Sequence, residues 1–213
     1  MIDQKKMTYH SLKLGSVATS KTELVDILKA WLALSLAFAF IYSGAHLLGG
    51  SIGNVFSLPF LLLFLISLFT AGLGFLLHEL AHKFVAQRYG CLAEFRAWDQ
   101  MILLALGLAI FVGFIFAAPG AVMISGMITK RENGIISVAG AMTNYILGLL
   151  FLGLEFMVPV LRPITSIGFG INMWLGLFNM IPFGPLDGLK VFQWSKAVWL
   201  GMVVVGVVFV FVV

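Results

Sequence analysis

The sequence predicts an all-α polytopic membrane protein of about five to six transmembrane helices, with a re-entrant extended or β segment near a buried site. Three observations carry this. The 213 residues are 61% hydrophobic and 10% charged, whereas about a quarter of a soluble domain is charged. Apolar runs of spanning length recur along the chain. Basic residues collect at the ends of those runs, as the positive-inside bias requires, so the net charge of +4 is no nucleic-acid footprint. Cys91 is alone, which excludes a disulfide framework and a cysteine-based metal cluster. The first apolar run is too long and too late for a cleavable signal peptide. No repeat at a fixed period appears, which argues against an inverted-repeat transporter.

Residues 1–23 read as a polar cytosolic arm with Lys5, Lys6, Lys13 and Lys21. Residues 24–213 form one membrane domain. Its first span covers about 24–48, with Trp31 as an interfacial anchor and His46 at the far end. The uncharged loop Gly49 to Asn54 suits the non-cytosolic side. The second span, about 58–89, is long for one crossing and ends at Gly90 as a C-cap. Lys83, Arg88 and Arg96 place this end in the cytosol.

The segment 101–137 is re-entrant or interfacial. Met101 to Ala117 is helix-like but barely long enough to span. After Pro119, Gly120 to Ile128 is rich in β-branched residues and glycine and reads as extended. Lys130, Arg131 and Glu132 form a polar tip, Asn133-Gly134 a turn, and Ile135-Ile136-Ser137 a second extended piece that closes a hairpin. Extended backbone at membrane depth survives only where protein or water covers it, so the strand belongs beside the site. Spans at about 138–158, 167–181 and 197–213 complete the domain. The last ends in apolar residues, which reads as a truncated terminus or one lost in the bilayer interface.

The chemistry lies in His78-Glu79-Leu80-Ala81-His82. On a helix, positions i and i+4 share a face, so both imidazoles can reach one metal ion with Glu79 beside it. Ionisable groups inside spans are costly and functional by default. Zinc suits two neutral imidazoles plus a carboxylate, with a position left for water, and Glu79 is the natural base for that water. The third ligand is sought on the same side. In Asn179-Met-Ile-Pro182-Phe-Gly-Pro185-Leu-Asp187-Gly188, two prolines unwind the backbone at membrane depth. Lys190 and Lys196 put this end in the cytosol too, so Asp187 lies at the depth of the histidines. For span ends to match, the segment 101–137 must return to the side it left. Gly140 and Asn144 share a face of the third span, where the asparagine asks for a partner that a zinc site would supply.

Together these motifs resemble the site-2 protease family of intramembrane zinc metalloproteases. The match is His78-Glu79-x-x-His82, then Gly140-x-x-x-Asn144, then Asn179-x-x-Pro182-x-x-Pro185-Leu186-Asp187-Gly188. The resemblance covers most of the chain, about Leu58 to Lys190. It implies one Zn2+ per chain held by His78, His82 and Asp187, with Glu79 as catalytic acid/base. It implies that Asn179 and Asn144 position substrate or stabilise the oxyanion. It implies a strand, here Gly120, Ala121, Val122, Met123 and Ile124, that pairs with an unwound substrate. The expected partners are a transmembrane protein substrate and the lipid bilayer, with no nucleic acid. The expected topology has the N-terminus and the active-site face in the cytosol. Ala141 stands where the family more usually has proline, and Leu189 and Lys190 where it often has glycine and arginine. Three rivals remain: a zinc transporter, a catalytically silent homologue that binds transmembrane segments, and a protease of the prenyl-protein type with Glu94 or Glu132 as third ligand.

Overall fold

A computed structural model describes residues 12–14, 17–48, 50, 52–115 and 118–212. The expectations for Lys5, Lys6, Gly49 and Ser51 therefore lie outside the described residues.

Strands β1 (Leu12–Leu14) and β2 (Val17–Thr19) pair antiparallel, and helix α1 (Lys21–Ser43) starts at once. The Ser20 hydroxyl accepts the Glu23 N–H at 3.1 Å as an N-cap, and Gly44 ends the helix at φ 63°. Glu23, expected in a loose arm, is fully buried.

Helices α2 (Leu58–Ser67) and α3 (Leu73–Arg88) form one continuous rod through a π-helical turn at Leu68–Gly72. The Trp31 indole of α1 donates to the Leu68 carbonyl at 2.9 Å, at the start of the widened turn. A Cβ on Gly72 would lie 2.2 Å from Ser35 Oγ, so glycine lets α1 approach there. The turn sits just before His78 and rephases the helix, which turns the histidine face toward the next long helix.

Beyond Gly90 come strand β3 (Leu92–Ala97) and helix α4 (Asp99–Val112), then strand β4 (Gly120–Ser125). β3 and β4 pair antiparallel, from Leu92 opposite Ser125 to Ala97 opposite Gly120. After α4 the chain therefore comes back beside β3. The far end of α4 meets the end of α1: the N–H groups of Leu47 and Leu48 donate to the Ile110 and Phe111 carbonyls, each at 2.9 Å.

The expected hairpin is corrected. The partner of β4 is β3, and Ile135-Ile136-Ser137 is helical. Helix α5 (Lys130–Met157) begins eight residues before the predicted third span, and Asn133-Gly134 lies inside it. Its start is a capping box: Thr129 Oγ1 accepts the Glu132 N–H at 3.2 Å, and Glu132 accepts the Thr129 N–H at 2.7 Å. A strong local stop-and-start signal here outweighs the weak β preference of two isoleucines.

A short turn at Pro159–Leu161 leads to α6 (Arg162–Asn179). Residues 180–186 are irregular, as the prolines require, and precede α7 (Asp187–Trp194) and α8 (Lys196–Phe211). Ala141, Tyr145, Met173, Met180, Val191 and Met202 pack α5, α6, α7 and α8 into one core. Tyr145 is buried, and its hydroxyl donates to the Met202 carbonyl at 3.0 Å.

Among the described residues, three helices are long and apolar enough to cross a membrane: Lys21–Ser43, Leu58–Arg88 and Lys130–Met157. The protein is a mostly helical membrane protein with small two-stranded sheets. Leu61, Leu150 and Phe156 are among the apolar side chains left outside on these helices, where lipid is the natural neighbour.

Candidate metal centre

His78, Glu79 and His82 project from α3 and are all buried. Their potential ligand atoms lie within 4.8 Å of one another. The unwinding at Pro182 and Pro185 delivers Asp187, first residue of α7, to the same point. Its Oδ2 is 3.2 Å from His78 Nε2 and 2.9 Å from His82 Nε2, and the two Nε2 atoms are 3.0 Å apart.

The far side of each ring explains why these atoms converge. His82 Nδ1 lies 2.7 Å from the Ile136 carbonyl oxygen, and His78 Nδ1 lies 2.6 Å from Asn144 Oδ1. A backbone carbonyl can only accept, so His82 Nδ1 carries the hydrogen and Nε2 offers a lone pair. The same holds for His78 so long as Asn144 presents its oxygen. Two lone pairs and a carboxylate oxygen then meet within about 3 Å, an arrangement that calls for a cation. Tetrahedral zinc ligands at about 2.0–2.1 Å would sit about 3.3 Å apart, close to the spacings found. The donor set thus fits zinc. Gly140 makes room for it: a Cβ there would lie 2.5–2.6 Å from atoms of both imidazoles.

Glu79 does not join this triangle. Its Oε2 accepts the Val122 N–H of β4 at 2.9 Å. On β3, opposite Val122, the Phe95 N–H points away from β4 and donates to Glu23 Oε1 at 2.8 Å. Backbone groups alternate along an antiparallel ladder. Gly120, Val122 and Ile124 therefore turn their N–H and C=O groups to the outer edge, beside Glu79. Ala121 and Met123 turn theirs to β3. Only three of the five expected strand residues thus offer backbone to the site.

The site opens into a cavity of about 180 Å3 whose lining includes Val122, Ile124, Ser137, Asn179 and Lys190. Asn179 donates one amide hydrogen to the Leu175 carbonyl at 2.9 Å and has a second left to give. Lys190 Nζ is 3.3 Å from Asp187 Oδ1, so this carboxylate holds the lysine with one oxygen and faces the histidines with the other. Asn144 is corrected. Its amide does not line the cavity: the oxygen is taken by His78, and the nitrogen donates to the Gly74 carbonyl at 3.1 Å and to Asn172 Oδ1 at 3.0 Å. It orients a histidine and has nothing left for an oxyanion. Glu94 and Glu132, the rival third ligands, are bound to Arg96 and to the α5 cap.

Sequence reasoning did not single out Ile136, Ser137, Asn172 or the Glu23–Lys83 pair. The Ile136 carbonyl carries no side-chain signal at all. Ser137 is buried without a hydrogen-bond partner for its hydroxyl. Asn172 was legible as an amide in an apolar helix, and Glu23 and Lys83 as charges at the ends of apolar runs.

A protein of Methanocaldococcus jannaschii named "Putative zinc metalloprotease MJ0611" is 38% identical over 184 residues, which covers 84% of this chain and 88% of that one. The chain belongs to this zinc metalloprotease family. The Bacillus subtilis protein named "Putative zinc metalloprotease YwhC" is 30% identical over 64% of this metalloprotease and 68% of its own length. "Zinc metalloprotease MJ0392" of M. jannaschii is 27% identical over 55% of this chain and 30% of that one. No family model and no solved structure matches the chain. The resemblance read from the motifs holds at the level of the family, and zinc is the metalloprotease's cofactor.

Proposed function

We propose that this metalloprotease is of the site-2 type: it hydrolyses peptide bonds in or near transmembrane segments of substrate proteins, as in regulated intramembrane proteolysis. The observation that carries this reading is the outer edge of β4, whose Val122 N–H touches Glu79. A helical substrate hides its carbonyls in i to i−4 hydrogen bonds and must unwind before hydrolysis. Gly120, Ile124 and the Val122 carbonyl offer such a chain main-chain partners, as strand addition does elsewhere. This holds the scissile peptide extended alongside Glu79.

His78, His82 and Asp187 hold the zinc ion. When bound, zinc supplies Lewis acidity and lowers the pKa of a water toward neutrality. Glu79 accepts the proton of the attacking water and returns it to the leaving amine. Asn179, at the cavity wall, orients the substrate carbonyl with the amide hydrogen that Leu175 does not take. The shared position of Arg88, Arg96, Lys190 and Lys196 at this end of the molecule supports a cytosolic active-site face and a cytosolic N-terminus.

The test is cleavage of tagged single-span substrates in proteoliposomes, with the cut sites mapped by mass spectrometry. Cuts within or next to the span, lost in Glu79→Gln, are expected. Zinc flux without cleavage would favour a transporter, and binding without cleavage a silent homologue; either overturns the proposal.

A further inference from the structure

The two zinc-facing histidines are oriented in unequal ways. His82 leans on the Ile136 carbonyl, which cannot change its polarity. His78 leans on the side-chain amide of Asn144, which can. Rotated by half a turn, that amide would present NH2 to His78 Nδ1. The ring would then have to accept at Nδ1 and carry its hydrogen on Nε2, where the lone pair is needed. Something must hold Asn144 in the productive orientation.

Asn172 of α6 is placed to do so. It is fully buried. Its own NH2 donates to the Gly168 carbonyl at 2.8 Å, one turn back on the same helix, which fixes its polarity. Its Oδ1 therefore faces Asn144 and accepts from Nδ2 at 3.0 Å. The second hydrogen of that nitrogen goes to the Gly74 carbonyl, one turn before His78 on α3. Two backbone carbonyls thus polarise the whole series, from Gly168 through Asn172 and Asn144 to His78. Turning Asn144 over would set its oxygen against two acceptors and leave its NH2 facing the ring. Unpaired buried polar groups of this kind are strongly disfavoured.

Gly74 belongs to the same device. A Cβ at Gly74 would lie 2.3 Å from Asn172 Oδ1. Only glycine lets the α6 amide reach between α3 and α5.

We infer that Asn172 is a positioning residue for the metal centre, acting through Asn144 to keep the His78 Nε2 lone pair aimed at the zinc site. It touches neither zinc nor substrate. The inference rests on the zinc site and not on the membrane-substrate reading. A wild-type protein that binds zinc but cleaves no transmembrane substrate leaves it standing.

The test uses the full chain in detergent, as wild type, Asn172→Leu, Gly74→Ala and the control Met173→Ala. Met173 is the buried neighbour of Asn172 and takes no part in the hydrogen-bond series. Zinc affinity is measured by competition with a chelator. The His78 tautomer is read by nitrogen-15 NMR of histidine-labelled, zinc-free protein. Asn172→Leu is expected to weaken zinc binding about tenfold or more, in line with other outer partners of metal ligands. It should also convert His78 from a single Nδ1-protonated form to a mixture. Met173→Ala should lose stability while keeping both properties. Gly74→Ala attacks the same junction from the other helix and carries the test alone where Asn172→Leu does not fold. Affinity within twofold of wild type with one His78 tautomer overturns the inference, as does an equal change in Met173→Ala.

Discussion

The amide N–H of Val122 donates to Glu79 Oε2 over 2.9 Å, so the edge of β4 and the acid of the zinc motif are in direct contact. This places the expected proton carrier where an added strand would pass. Replacing Glu79 by glutamine leaves both imidazoles and Asp187 in place. Zinc content should stay near one per chain, while cleavage slows about 10²–10⁴-fold. Metal analysis and product formation on the same preparation check both halves.

Ile124→Pro tests the strand apart from the metal and from the Val122 N–H that Glu79 holds. The Ile124 N–H faces away from β3, so proline at this edge position removes no ladder hydrogen bond and the sheet should survive. Cleavage of a transmembrane substrate should fall about tenfold or more, with unchanged zinc affinity. An undiminished rate would show that substrate does not use this edge.

The Asp187 carboxylate lies 2.9 and 3.2 Å from the two imidazoles. Asp187→Asn keeps the shape but removes the charge that balances the cation. Zinc should be lost to a chelator at least as readily as the roughly 10–100-fold weakening typical of outer-shell changes. Full retention after dialysis would take Asp187 out of the ligand set.

Gly140 allows α5 to lie against the histidines. In Gly140→Ala the new methyl meets His78 Nε2 and His82 Cε1 at 2.6 and 2.5 Å, backed by a helix that cannot easily withdraw. The expected outcome is a folded protein with little zinc, seen as intact helical circular dichroism and low metal content.

Lys83 follows His82 directly, and its Nζ lies 2.6 Å from Glu23 Oε2 with both side chains buried. Glu23 also accepts from Thr19 at 2.7 Å and from the Phe95 N–H. One carboxylate therefore fastens α1, the zinc helix and β3 together. Lys83→Met leaves a buried charge without its partner and should cost about 3–5 kcal/mol. Combining it with Glu23→Gln should recover much of that loss in thermal unfolding measured in detergent.

Much of this site was legible before any fold was known. Histidines four apart on a helix must share a face, and prolines at 182 and 185 must unwind the chain just before Asp187, because both follow from backbone geometry alone. The extended reading of Gly120 to Ile128 also came from local signals, and β4 fills most of it. The hairpin partner did not. Leu92–Ala97, with two alanines and a glutamate, leans less to strand than Ile135-Ile136-Ser137, and what reverses the preference is a cap at Thr129 and a Glu23 carboxylate that accepts from Phe95.

The residue types, the i, i+4 spacing and the charge bias by themselves pointed to a membrane zinc protein and to two separated motifs at one depth. Those properties belong to single helices and single span ends. Only the tertiary structure decided which atoms meet. Ile136 O, Asn144 and Asn172 act through hydrogen bonds between helices that are distant in sequence, and such bonds depend on approach distances of a few tenths of an ångström. Glycines 74 and 140 set those distances, but nothing in a lone glycine says which ring or amide will occupy the space it leaves.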